Sequence, residues 1–140
     1  MGTDIYGWVE GRSRWIDEEE IWSALIHAGA LLDRNYAAFA RLFGVRNYEN
    51  GAALAPHRGF PSIVSSTVQH EVEALAKYAD ERYLDGDLLC HSASWATWDE
   101  LKSVDWSEFN ESFQILRKLL EVLAQSSDFD EIRLVVWFDS

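Results

Sequence analysis

Apolar and polar positions alternate from Thr3 to Trp15. Ile5, Gly7 and Val9 fall on one side and Asp4, Tyr6, Trp8 and Glu10 on the other, which predicts a strand. A charged break, Asp17-Glu18-Glu19-Glu20, follows. Ile21 to Leu32 reads two ways. Ile21, Leu25, Ala28 and Leu32 form a helical stripe behind glutamates that suit a helix N-terminus, whereas Trp22, Ala24 and Ile26 fit the second strand of a hairpin. Asn35 is placed to cap a short helix carrying Tyr36, Phe39 and Phe43 on one side, with Gly44 as its terminator.

Val45 to Phe60 has no period and holds Asn47, Asn50, Gly51, Pro56 and Gly59, with Pro61 just beyond. A loop of this length in a small domain is usually functional. Thr67 to Arg82 predicts a helix with Val68, Val72, Leu75 and Ala79 inward, and Asp85-Gly86-Asp87 predicts a turn. Leu88 to His91 reads as a short buried strand. Thr97 with Glu100 is a capping-box pair opening a short helix through Lys102. Ser107 is read as the cap of a longer helix to about Gln125, with Phe109, Phe113, Leu116, Leu120 and Leu123 as its stripe and Arg117 and Lys118 off it. Ile132 to Phe138 is strongly β-prone and reads as a central or near-central strand. The chain has no internal repeat or low-complexity segment, and its 140 residues read as a single domain.

Composition narrows the class. At 48% hydrophobic the chain is globular rather than disordered. No run approaches the ~20 apolar residues of a membrane helix, and no secretory signal opens the sequence. The Met-Gly start lacks the hydroxyl residue a myristoylation pattern needs, because Tyr6 stands there. A single cysteine, Cys90, cannot make an intramolecular disulfide. The expected setting is cytoplasmic.

Charge is uneven. The chain carries a formal −12, which disfavours generic nucleic-acid binding. Between Arg34 and Phe60, however, Arg34, Arg41, Arg46 and Arg58 face a single acid, Glu49. Arginine forks grip phosphate or carboxylate in two places. The window is either an anion site or a set of cations paired with acids of the body.

The familiar catalytic patterns are missing. His27, His57, His70 and His91 form no metal-ligand spacing, and one cysteine excludes the cysteine-rich zinc patterns, so no metal or cofactor is expected. No nucleophile-elbow, Walker or dinucleotide fingerprint occurs. Asp4 and Glu10 lie on one strand face about 20 Å apart, too far to act as a glycosidase pair. Cys90 and His91 are neighbours, and strand neighbours point to opposite faces. Two stretches keep chemical interest. Pro56-His57-Arg58-Gly59-Phe60-Pro61 combines a stiff loop, a glycine and two donors; His91-Ser92-Ala93-Ser94-Trp95 combines hydroxyls, an imidazole and a large ring. Either could bind a polar ring or phosphate, and either could simply tie down a connection.

The opening Met1-Gly2-Thr3-Asp4-Ile5-Tyr6, the Arg34-Asn35-Tyr36 and Gly44-Val45-Arg46-Asn47 stretches, the Pro56, Arg58-Gly59, Pro61 block and the His91-Ser92, Ser94-Trp95, Thr97 segment resemble a family of short bacteriophage and prophage proteins of unknown function. The Leu134 to Asp139 tail is similar too. Tyr6 replaces the commoner histidine of that opening. The resemblance implies a strand over Ile21 to His27, pairing with the first. The expected fold is therefore α+β: a small antiparallel sheet that includes an N-terminal hairpin and the C-terminal strand, packed against several helices.

Phage accessory genes of this size often encode counter-defence proteins, which is an association with origin rather than activity. The preferred reading is a protein that binds and sequesters a phosphate-bearing small molecule such as a nucleotide signal. Its expected ligand-binding residues are Arg34, Asn35, Arg46, Asn47, His57, Arg58, His91, Ser94 and Trp95, with Tyr36, Tyr48 and Trp95 as stacking rings. One alternative is an acidic inhibitor of a basic host protein, motivated by Asp17 to Glu20 and Asp128 to Glu131. Another is a small hydrolase acting on a nucleotide, using Asp4, His57, His91 and Ser94 for acid–base work. No membrane partner is expected, and homo-oligomerisation stays open.

Overall fold

The computed structural model describes residues 2–15, 21–82 and 90–139, without the side chains of 77–82. Four antiparallel strands make one sheet in the order β2-β1-β4-β3. The strands are β1 (Ile5–Ser13), β2 (Trp22–Ile26), β3 (His91–Thr97) and β4 (Phe129–Phe138). The helices are α1 (Ala28–Leu31), α2 (Tyr36–Phe43), α3 (Ser66–Arg82), α4 (Trp98–Leu101) and α5 (Glu111–Ala124). The fold is α+β, with the N-terminal hairpin and the C-terminal strand both in the sheet.

β4 is central because it pairs along its length with β1 and with β3: Val9 faces Leu134, Gly7 faces Val136, and Ala96 also faces Leu134. That register turns Ile5, Val9, Ile132, Leu134, Val136 and Phe138 toward α2 and α5, where they meet Phe39, Leu42, Phe43, Phe113, Leu116 and Leu120 in the core. Phe39 lies edge-on to both Phe113 and Phe138. Gly7 must be glycine: a Cβ there would come 2.2 Å from the Val135 carbonyl oxygen.

The other sheet face is aromatic and charged. Glu10 faces Arg133 and Trp95 faces Val135 across the strands. Residues 60–65 and α3 lie on this face. Phe60 packs on Trp137, the Trp8 indole donates to Glu71 at 2.9 Å, and Val68 is fully buried. Ser65 caps α3 by accepting from the Val68 N–H.

The two readings of residues 21–32 divide the segment between them. Trp22–Ile26 is the hairpin strand, and one helical turn, Ala28–Leu31, follows. Asn35 caps α2 through the Ala38 N–H, and Gly44 ends it in the left-handed conformation, φ 69°. The capping box of Thr97 and Glu100 is formed.

Two boundaries need correction. The helix expected from Ser107 starts at Glu111, because the Asn110 side chain accepts from the Phe113 N–H and 107–109 form a turn beneath Trp106. The third strand is His91–Thr97. Ser94 and Ala96 point to the buried face and Trp95 to the other, so the stretch read as a connecting loop is an edge strand. The expected turn at Asp85-Gly86-Asp87, Leu88, Leu89 and the acids 17–20 lie outside the described residues.

Candidate functional site

Loop 45–55 folds back along α2. The Leu54 N–H donates to the Arg41 carbonyl and the Ala55 N–H to the Leu42 carbonyl. Inside this turnback the Asn47 amide closes a small ring, donating to the Gly51 carbonyl at 2.7 Å and accepting from the Gly51 N–H at 3.2 Å. Arg46 and Asn50 adopt left-handed backbone, φ 57° and 52°. Such conformations in non-glycine residues persist where surrounding contacts hold them.

The result is a hollow of about 390 Å³ between the outer side of α2 and residues 46–52. Its size falls at the lower end of small-molecule sites, roughly 300–1,000 Å³. Tyr36, Ala37, Ala40 and Ala52 supply apolar walls, while Arg41, Arg46, Asn47, Tyr48 and Glu49 supply polar ones. The Arg46 guanidinium lies 5.1 Å over the Tyr36 ring and donates to the Thr3 hydroxyl at 2.9 Å and the Tyr48 hydroxyl at 2.7 Å. Tyr48 stands out into solvent, 74% exposed, as a ring with an open face. Arg41 makes one long bond, 3.3 Å, to the Ala52 carbonyl.

The nine residues expected at a single site are divided. Arg46 and Asn47 reach the hollow. Arg34 grips Asp4, with Nε 2.5 Å from Oδ1 and Nη2 3.2 Å from Oδ2. The Arg34 hydrogen bond holds the Asp4 carboxyl below its ordinary range. Asn35 is spent on its helix cap. Arg58 lies outside the hollow's lining, beside β3, where it grips both Glu100 oxygens at 2.8 and 2.6 Å and stacks 5.2 Å over Trp95. That grip, helped by the Thr97 amide, brings the Glu100 carboxyl down to about 2.

Ser94 is buried and accepts from the Arg58 N–H while donating to the Ala55 carbonyl, so it ties the loop to the sheet. Trp95 has Arg58 at 5.2 Å and Arg133 at 5.9 Å. His91 contacts the Ser92 hydroxyl at 2.9 Å and packs near Phe138. His57 is exposed, with left-handed backbone at φ 51°. The four arginines of the basic window therefore do not share one hollow. Arg41 and Arg46 do, Arg34 and Arg58 are neutralised by Asp4 and Glu100.

Arg41 and Glu49 line the hollow without having stood among the expected ligand residues. A signal for Arg41 was present: Phe39, Leu42 and Phe43 claim the buried side of α2, which leaves Ala37, Ala40 and Arg41 outward. Asp4, Tyr6 and Asp139 form a separate cluster at the sheet end. The Tyr6 hydroxyl donates to Asp139 at 2.6 Å and is pushed up to about 12 by that bond and by burial. Burial also raises the Cys90 thiol. Among the described residues no cluster of three or more His, Cys, Asp or Glu could hold a metal ion, and no helix is long and apolar enough to cross a membrane.

The chain matches no family model, no curated protein and no solved structure.

Proposed function

We propose that the protein binds a small phosphate-bearing molecule with a flat ring, of the nucleotide class, in the hollow between α2 and residues 46–52. The observation that carries this reading is the meeting of Arg41 and Arg46 with the rings of Tyr36 and Tyr48 around one space of about 390 Å³. Guanidinium forks suit phosphate, and a solvent-facing tyrosine ring suits a base. The reading is binding rather than turnover, because the acid–base candidates Asp4, His57, His91 and Ser94 do not line the hollow. In the setting that the phage resemblance suggests, such a protein would take a nucleotide signal out of circulation.

A thermal-shift titration with mononucleotides and cyclic nucleotides tests this. A ligand at a hundredfold its Kd adds about 2.7 kcal/mol to the stability, several degrees in Tm. The Arg41→Ala, Arg46→Ala double variant should lose that shift. No stabilisation by any nucleotide would reject the reading.

One observation favours the second reading, an inhibitor of a host protein. Ile115, Leu119 and Val122 form an exposed stripe on the outer side of α5, with Val122 66% exposed. Co-purification of a stoichiometric host protein, lost in Leu119→Asp, would support it over the first.

A further inference from the structure

We infer that the hydroxyls of Thr3 and Tyr48 are the positioning groups of the hollow, holding the Arg46 guanidinium in the orientation that receives phosphate. This rests on the proposed nucleotide reading and adds the parts that make its arginine a fixed donor. Arg46 rises from left-handed backbone, φ 57°, in a loop tied back to α2. Its Nε donates to Thr3 Oγ1 at 2.9 Å and its Nη1 to Tyr48 Oη at 2.7 Å, while its central carbon lies 5.1 Å from the Tyr36 ring centre. Tyr36 and Tyr48 both line the hollow, so these contacts locate the guanidinium at its wall. Bonds from two different nitrogens fix the plane of the group and its rotation within that plane, and the Tyr36 ring lies against it.

These anchors differ in kind from those of Arg34 and Arg58, which are held by the carboxylates of Asp4 and Glu100. A carboxylate cancels the charge it grips. A hydroxyl oxygen is neutral, so it orients a guanidinium and leaves the positive charge in place for a ligand. Thr3 suits the task because it is itself held fast. It is 1% exposed, and its N–H donates to the Tyr36 hydroxyl at 3.1 Å. Its neighbour Asp4 donates its N–H to Asp139 Oδ1 at 3.0 Å and accepts from Arg34 through its carboxylate. A side chain at Gly2 would collide with the Arg34 guanidinium, so the segment is closely packed on that side too. One buried threonine thus joins the ring and the cation of the hollow. A donor fixed before the ligand arrives loses less entropy on binding.

Calorimetric titration of the full chain with adenosine monophosphate tests the assignment, with Thr3→Val, Thr3→Ser and Tyr48→Phe as variants. Valine keeps the shape of threonine and removes the acceptor, serine keeps the acceptor, and phenylalanine keeps the ring. The expected result is binding about tenfold weaker in Thr3→Val and about threefold weaker in Tyr48→Phe, with Thr3→Ser within about twofold of wild type. The Arg46 ¹⁵Nε–¹Hε resonance, read without nucleotide, should shift in Thr3→Val and stay in place in Thr3→Ser. If Thr3→Val does not fold, Tyr48→Phe decides the proposal, because Tyr48 is 74% exposed and its substitution leaves the core intact. Unchanged affinity in either variant, or tighter binding in Tyr48→Phe because its hydroxyl competes with phosphate, overturns the positioning role and leaves the hollow standing. A loss that Thr3→Ser does not rescue assigns Thr3 to the fold alone and overturns its role as well. Absence of wild-type binding to any nucleotide overturns both the positioning role and the nucleotide reading.

Discussion

Arg133 and Glu10 form an ion pair sealed inside the protein. Glu10 is fully buried and Arg133 is 5% exposed, with 2.8 Å between Nη2 and Oε1. Each partner makes a further hydrogen bond. Glu10 accepts from the Ser65 N–H at 2.7 Å, Arg133 donates to the Ile63 carbonyl at 2.6 Å, and the guanidinium lies 3.5 Å from the Trp22 ring centre. The pair therefore fastens the end of the long loop, and the start of α3, to the sheet.

Removing one partner leaves a buried charge alone, which costs about 3–5 kcal/mol. Arg133→Met and Glu10→Ala should each lower urea-unfolding stability by that amount. The same variants should speed amide exchange in residues 63–66, because their anchors are gone. Unchanged stability in both would contradict the latch.

Arg58 and Glu100 predict an acid-sensitive step. The folded Glu100 carboxyl lies near 2 against an ordinary 4.5. A depressed pKa gives stability that is present above about 4.5 and lost as the pH falls toward 2. Both side chains are about one-third exposed, so solvent screening reduces the contribution to about 1 kcal/mol. Melting curves from pH 2 to 6 should show a shallower acid loss in Arg58→Met than in wild type. Nucleotide binding should persist in that variant at neutral pH, since Arg58 lies away from the hollow.

Gly7→Ala should destabilise by more than about 2 kcal/mol, read by thermal unfolding, because the new methyl meets the backbone of β4 rather than a flexible side chain. Gly59→Ala meets no neighbour, but its φ of 79° still strains an alanine, so a smaller loss of about 1 kcal/mol is expected.

The sheet was legible because strands of period two announce which face is buried. Ile5, Val9, Leu134 and Val136 do so, and Asn35, Gly44 and Thr97 punctuate the helices between them. β3 was less so. His91 to Trp95 lacks β-branched residues and reads as a polar connection; only its pairing with β4 makes it a strand. The site was half legible. A basic window can be counted along a chain, but the partners of Arg34 and Arg58 are thirty and forty-two residues away in sequence. Such pairs depend on tertiary approach, which local pattern does not encode. The same holds for Ser94, whose hydroxyl serves the loop rather than a ligand.

The most direct measurement is a chemical-shift map of ¹⁵N-labelled protein titrated with adenosine monophosphate. The account predicts saturable shifts confined to residues 36–41 and 46–52, abolished by Arg41→Ala with Arg46→Ala. Shifts centred instead on Arg58, Ser94 and Trp95, or no shifts at all, would contradict it.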